Sequence, residues 1–435
     1  MEETPISPGT STAPLARRLL ARLAAIALVA VSIPLATPEG PDFVVGGGRS
    51  DPSWLYGPLG VFGDGFVDRP MVYLCLLWLA IAIWIVVLVL ARDLGMRWTA
   101  AVTGLLIVLF VLAPSLLSLD VFSYISYARL GAEHGLNPYE FAPSALPASD
   151  EAARQVLDYR DAVSVYGPLF TLGSYPLGAL GVPFALWSLK LIAGAAIAAV
   201  VAMVARLARL RGIEPAAAVA FVGLNPIVLV HLVGGAHNDG LTAAIAIAAL
   251  AAALSARPAL AGSGFVVAAA VKVSGLLYAP FALLGTREPG GRARLLAGAA
   301  AALLVVGAVS LLVFGTDVSE ALSVAGGNQD RISRWSVPAT LSRATGIDVD
   351  GWRIVLGAGL VAALAWLLVA VARGLDWVRG AAWASFGVLV ASAYVVPWYL
   401  IWLLPVAAIS RDRVLIGATI LLTVFQAING IPVTL

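Results

Sequence analysis

The chain has 435 residues, 60% of them hydrophobic and only 12% charged, with a net charge of +2 and a mean hydropathy of +0.94. A soluble domain carries about 25% charged residues, so this composition excludes an ordinary aqueous globule and points to an all-α polytopic membrane protein. With the arginines spread among short loops the net charge gives no sign of a nucleic-acid partner and none is expected, and the lone cysteine, Cys75, excludes an intrachain disulfide.

Residues 1–14, rich in Ser, Thr and Pro, read as a disordered cytoplasmic tail. A membrane span needs about 20 apolar residues to cross roughly 30 Å of hydrocarbon. Such runs occur at 19–37, 70–91, 98–118, 183–205, 214–233, 240–256, 261–285, 293–315, 352–372, 380–396, 397–409 and 413–432, which predicts about 11–13 transmembrane helices. Arg17, Arg18 and Arg22 precede the first run and place the N-terminus inside. That basic lead resembles a signal peptide, but Pro38 follows directly and no small-x-small cleavage site is present, so an uncleaved anchor is expected. Residues 15–97 thus form two N-terminal spans with an outer loop, ahead of a core at 98–435.

The remaining arginines orient the chain. Arg92 and Arg97, Arg206 to Arg211, Arg287 to Arg294, Arg373 and Arg379, and Arg411 and Arg413 are expected inside. Segments 38–69, 119–182 and 316–351 then fall outside, with 167–182, broken by Pro168, Pro176 and Gly181, as a re-entrant or surface helix. Between Asp239 and Arg287 the number of crossings must be odd although two runs are visible. Gly262 and Gly264 are the expected break, giving three short passes. The active site would lie at the outer, periplasmic face of a bacterial plasma membrane.

Polar residues stand out against this background. No charge occurs from Trp98 to Leu119, so Asp120 is the first ionised group at the bilayer edge, either as a helix N-cap or as a carboxylate that meets a lipid-borne substrate. Tyr124 and Tyr127 read as interfacial aromatics, Asn137-Pro138-Tyr139 as a turn, and Tyr166-Gly167-Pro168 as a bend. Lys190, near a span end, would snorkel, and His231 would be a satisfied helix histidine. His237, Asn238 and Asp239 cluster after Gly234-Gly235 and read as a site. Only three histidines exist and no HExxH spacing occurs, so no metal is expected. Lys272 lies deep in an apolar run, where translocon scales charge about 2.5–3.5 kcal/mol for a central lysine; it would meet a phosphate or pair with a buried carboxylate. Arg331 and Arg334, outside, suit phosphate recognition.

Taken in order, Asp120-Val121-Phe122-Ser123-Tyr124, Gly135 to Tyr139, Val165 to Leu169, Gly235 to Gly240, Val271-Lys272, Ser336-Val337-Pro338 and Pro397-Trp398-Tyr399 resemble the polyprenol-phosphate-mannose-dependent α-(1→6)-mannosyltransferases of actinobacteria, over roughly 98–410. The resemblance implies the GT-C superfamily of membrane glycosyltransferases, with 119–182 as the catalytic outer loop. It also implies a polyprenyl phosphomannose donor, a mannan acceptor on a phosphatidylinositol mannoside, and a role in lipomannan and lipoarabinomannan synthesis. Asp120 would be the catalytic base, and no cofactor is implied. Tyr124, Asn137, Tyr139, Tyr166, His237, Asn238, Asp239, Lys272, Arg331, Arg334, Ser336, Trp398 and Tyr399 would contact substrate. Relatives outside this family carry paired acids where Asp120 is followed by Val121, which argues against a metal-bridged site. A β-linked donor giving an α-linkage implies inversion. Two other readings stay open: a transferase of another sugar such as arabinose, and a flippase or assembly factor that needs no Asp120. Oligomeric state is not legible.

Overall fold

A computed structural model describes residues 15–40, 43–44, 53–62, 65, 67–156, 159–319 and 331–432. The expected tail at 1–14 lies outside the described residues. Among the described residues the chain is helical, with two isolated bridge pairs, Pro38 with Val67 and Val44 with Leu116, and no strand. Five helices there are long and apolar enough to cross a membrane: Leu15–Ala36, Pro70–Val89, Val182–Leu210, Gly291–Ser319 and Val349–Ala372. Pro215–Gly223 and Val228–Gly234 make a sixth, bent by 58°. The bend has a local cause. Pro226 cannot continue the first helix, and Asn225 Oδ1 accepts the Ile227 and Val228 amides, so a second stretch starts there in π geometry. Seven shorter apolar helices complete the bundle.

The bundle has two chemically distinct ends. At one end the arginine loops converge: Arg17 pairs with Asp93, Arg92 with Glu214, and Arg211 with Asp376. Arg287 sits beside Gly374, and Arg379 pairs with Asp412. The other end gathers Asp120, His237, Lys272 and Trp398. The two N-terminal helices belong to the same apolar core as the rest, since Trp84 is buried and donates its indole N–H to Ala220 O at 2.9 Å.

Three short helices link Asp239 to Arg287, but the break is not at Gly262 and Gly264. Asp239–Leu254 runs toward the arginine end, Pro258–Ala269 returns, and Val273–Gly285 descends again, with the break at 270–272. Lys272 there bonds Asp239, which fixes the break at the depth of that residue, while Gly285 packs on Trp377 at the far end. The two glycines serve packing instead. A Cβ on Gly262 would lie 2.0 Å from Leu295 O, so its absence lets Pro258–Ala269 and Gly291–Phe314 approach closely.

Segment 167–182 carries a helix of 12 residues, shorter than a full span needs. Pro168–Ala179 packs along Asp120–His134, and its Gly167 and Leu169 amides donate to Val271 O and Ala270 O at the break. The span before Asp120 ends early, at Leu112, because Pro114 follows; residues 113–119 form an irregular connection.

Candidate active site

A cavity of about 520 Å³ opens between these elements, and its lining changes character along its length. Asp120, Ser123, Tyr127, Tyr159, Lys272 and Tyr394 line a polar part. Leu276, Leu277, Phe281, Leu364, Leu368 and Val388 line an apolar part, contributed by Val273–Gly285, Val349–Ala372 and Trp377–Ala391.

Asp120 is not a helix cap. Leu119 holds that position, and Asp120 is the first residue of Asp120–His134, half-buried with its carboxylate toward the cavity. His237 Nδ1 lies 3.4 Å from Asp120 Oδ2. The imidazole is buried and stacks face to face on Trp398, ring centroids 3.6 Å apart at 16°. The turn that delivers it is tight: a Cβ on Gly235 would lie 2.4 Å from His231 O and 2.9 Å from the His237 ring, so only glycine fits.

Asp239 is held differently. Its fully buried carboxylate accepts Lys272 Nζ at 2.9 and 2.7 Å and Trp402 Nε1 at 2.8 Å. Pro397–Trp402 is a 3-10 helix, in which residues three apart eclipse, so Tyr399 and Trp402 stack at 3.9 Å. The Lys272 ammonium sits 4.9 Å from one ring centroid and 5.7 Å from the other. Carboxylate and aromatic faces together offset the cost of a cation at this depth.

Several buried polar atoms around Asp120 make no hydrogen bond within the described protein: Ser123 Oγ, both His237 nitrogens and Asn238 Nδ2. Such atoms are rare in native structures and ask for an explanation. Ser123 is among the residues that line the cavity, with its hydroxyl buried behind the wall.

The residues expected to contact substrate divide into four groups. Asp120, Tyr166, Lys272, Trp398 and Tyr399 line the cavity. His237, Asn238, Asp239 and Tyr124 stand directly behind it; Tyr124 Oη reaches Asn238 Oδ1 at 3.4 Å and packs edge-on against Tyr166. Arg331 adjoins the rim, its guanidinium 4.6 Å from the Tyr159 ring centroid. The others lie elsewhere. Asn137 donates to Phe314 O and Asp317 Oδ2, a tie between loops. Tyr139 donates to Tyr166 O at 2.7 Å and acts as a buttress. Ser336 is buried as the N-cap of Val337–Thr345, and Arg334 lies over Trp335.

Two further expectations need correction, and two residues were missed. Lys190 does not snorkel: it is fully buried, with its ammonium on two carbonyls. His231 is buried with neither nitrogen hydrogen-bonded, not a satisfied helix histidine. Tyr159 and Tyr394, unforeseen, face the cavity with their hydroxyls 3.2 Å apart. The only signal for Tyr394 is its place three residues before Pro397-Trp398-Tyr399. One set of metal-type donors exists among the described residues, Glu133, His134 and Asp150. It is away from this cavity, and its Asp150 is already held by Arg129 and two backbone amides.

Residues 51–287 match the family described as "Alpha-(1->6)-mannopyranosyltransferase, N-terminal domain". The chain is 29% identical over 339 residues to alpha-(1->6)-mannopyranosyltransferase A of Mycobacterium tuberculosis, covering 68% of this chain and 63% of that one. It is 28% identical over 391 residues to a probable alpha-(1->6)-mannopyranosyltransferase of Mycolicibacterium smegmatis (74% and 66%). With alpha-(1->6)-mannopyranosyltransferase A of Corynebacterium glutamicum it shares 24% over 194 residues (44% and 39%). The chain spans just under two thirds of the length of the first two relatives. No solved structure matches it. Because the family match covers more than half of its length, the chain belongs to the alpha-(1->6)-mannopyranosyltransferase family.

Proposed function

We propose that the protein is an inverting mannosyltransferase that moves mannose from polyprenyl phosphomannose to the 6-hydroxyl of an α-(1→6)-linked mannan or phosphatidylinositol mannoside acceptor, in lipomannan and lipoarabinomannan assembly. The observation that carries this reading is the two-part cavity. A carboxylate and sugar-compatible polar groups sit at one end, and an apolar slot between membrane helices at the other. That is the shape of a sugar phosphate with a lipid tail. Membership of the family supports the sugar and the linkage.

In this mechanism Asp120 takes the proton from the acceptor 6-hydroxyl as general base, a role worth about 10²–10⁴-fold in rate. The oxygen forms its bond to the mannosyl C1 as the C1–O bond to phosphate breaks, and the electron pair leaves with polyprenyl phosphate. Phosphate is a good leaving group, so no general acid is needed. Lys272 keeps a third N–H beyond the two on Asp239, and with Arg331 at the rim it stabilises the developing charge. His237 and Asn238 orient the base and bind hydroxyls, while Trp398 and Tyr399 offer faces to a pyranose. Asp239 is buried and engaged by Lys272 and Trp402, which favours Asp120 for the base role. The gathering of arginine loops at the opposite end of the bundle supports a site at the outer leaflet.

The test is transfer of radiolabelled mannose from synthetic polyprenyl phosphomannose to a short α-(1→6)-mannoside, in membranes carrying wild type or Asp120→Asn. Loss of transfer in Asp120→Asn at normal protein level is expected. Full activity in that variant removes Asp120 as base. An inert wild type that is active with an arabinosyl donor changes the sugar, and one that only translocates the lipid points to a flippase.

A further inference from the structure

The chain contains two lysines, Lys190 and Lys272. Lys272 has its carboxylate. Lys190, about two turns into Val182–Leu210, is fully buried and makes no ion pair among the described residues. Its ammonium donates to Pro114 O at 3.1 Å and Gly234 O at 2.8 Å and lies 5.8 Å from the Trp187 ring centroid. Gly234 O also accepts the Leu116 amide at 3.1 Å. Burying a cation without a counter-charge is expensive. If the position only had to fill space, an apolar side chain of the same volume would serve better.

The two carbonyls belong to the two segments that carry the site. Pro114 begins the connection to Asp120, and Gly234 ends the π stretch before His237 and Asp239. Between the lysine and the functional side chains each segment passes through a non-glycine residue at positive φ: Leu117 at +59° and Ala236 at +57°. L residues disfavour this region, and they persist in it only where the surroundings over-determine the backbone. Past these turns the Asp120 carboxylate and His237 meet at 3.4 Å. Lys190 does not itself line the cavity.

We propose that Lys190 is a positioning residue: its ammonium bridges two carbonyls that would otherwise repel, and so ties the Asp120 segment to the His237 segment at the root of both strained turns. The proposal rests on the reading of Asp120 as the base. The full chain is compared in lipid nanodiscs as wild type, Asp120→Asn, Lys190→Met, which keeps length without donors, and Lys190→Gln, whose amide keeps two N–H groups. Kinetics with polyprenyl phosphomannose and a short α-mannoside are measured beside hydrogen–deuterium exchange. Lys190→Met should lower kcat at least tenfold with both KM values within twofold. Exchange should quicken over 114–120 and 234–239 and stay unchanged through the rest of Val182–Leu210. Lys190→Gln should recover most of the kcat. The tether is overturned by a kcat within twofold of wild type, by unchanged exchange in those two segments, or by loosening spread over the whole chain. If wild type transfers no mannose, the mannosyltransferase reading fails, and the exchange pattern alone decides the tether.

Discussion

Lys272 and Asp239 form a closed pair: both carboxylate oxygens accept the ammonium, at 2.7 and 2.9 Å, with Asp239 fully buried. Removing one partner strands the other charge, which costs about 3–5 kcal/mol for a buried pair. Asp239→Asn should therefore lower the unfolding temperature in detergent sharply. Asp239→Asn combined with Lys272→Met should regain much of that loss. A double variant no more stable than Asp239→Asn would show that the pair is not the source of the effect.

His237 touches Trp398 through its face and Asp120 through an edge. His237→Phe preserves the stack and deletes both nitrogens. Mannosyl transfer should fall about tenfold or more while thermal stability stays within about 1 kcal/mol, the scale of one hydrogen bond. Stability lost without a change in rate would make the residue purely structural.

The Tyr159 and Tyr394 hydroxyls, 3.2 Å apart on the cavity wall, are exchangeable donors and acceptors. Either Tyr→Phe change should raise the acceptor KM several-fold with kcat little altered, and the two together should cost less than the sum of the singles. Additive effects would mean that the two hydroxyls act independently.

Leu364 and Leu368 form part of the apolar slot. Leu364→Trp should fill it and shift preference toward donors with shorter prenyl chains, read as the ratio of kcat/KM between a short and a long donor. An unchanged ratio would place the tail elsewhere.

Much of the fold is legible because apolar run length and arginine loops are strong physical signals, and the orientation argument called for a third helical segment between Asp239 and Arg287, where three short helices lie. The position of the break was not legible. A glycine in a membrane helix serves close packing as readily as a hinge, and Gly262 packs against Leu295. Lys272 stood out by its burial cost, but its partner is 33 residues away, a separation that no helical period encodes. Lys190 was misjudged because a lysine near a span end ordinarily reaches water. The Pro114 and Gly234 carbonyls that hold it are backbone atoms with no residue-type signature. Asn137, Tyr139 and Ser336 were drawn toward the site by their motifs, yet each braces a loop: turn chemistry and ligand chemistry use the same residue types.

Val349–Ala372, which supplies Leu364 and Leu368, is packed on one side only, with 11% of its apolar window buried against the protein. On the proposed donor, the isoprenoid tail would not have to thread in from the aqueous end: this thinly covered helix offers a sideways route from the surrounding lipid. The doorway is then also a thinly packed seam of the bundle, so detergents that strip annular lipid should blunt turnover well before they unfold the core.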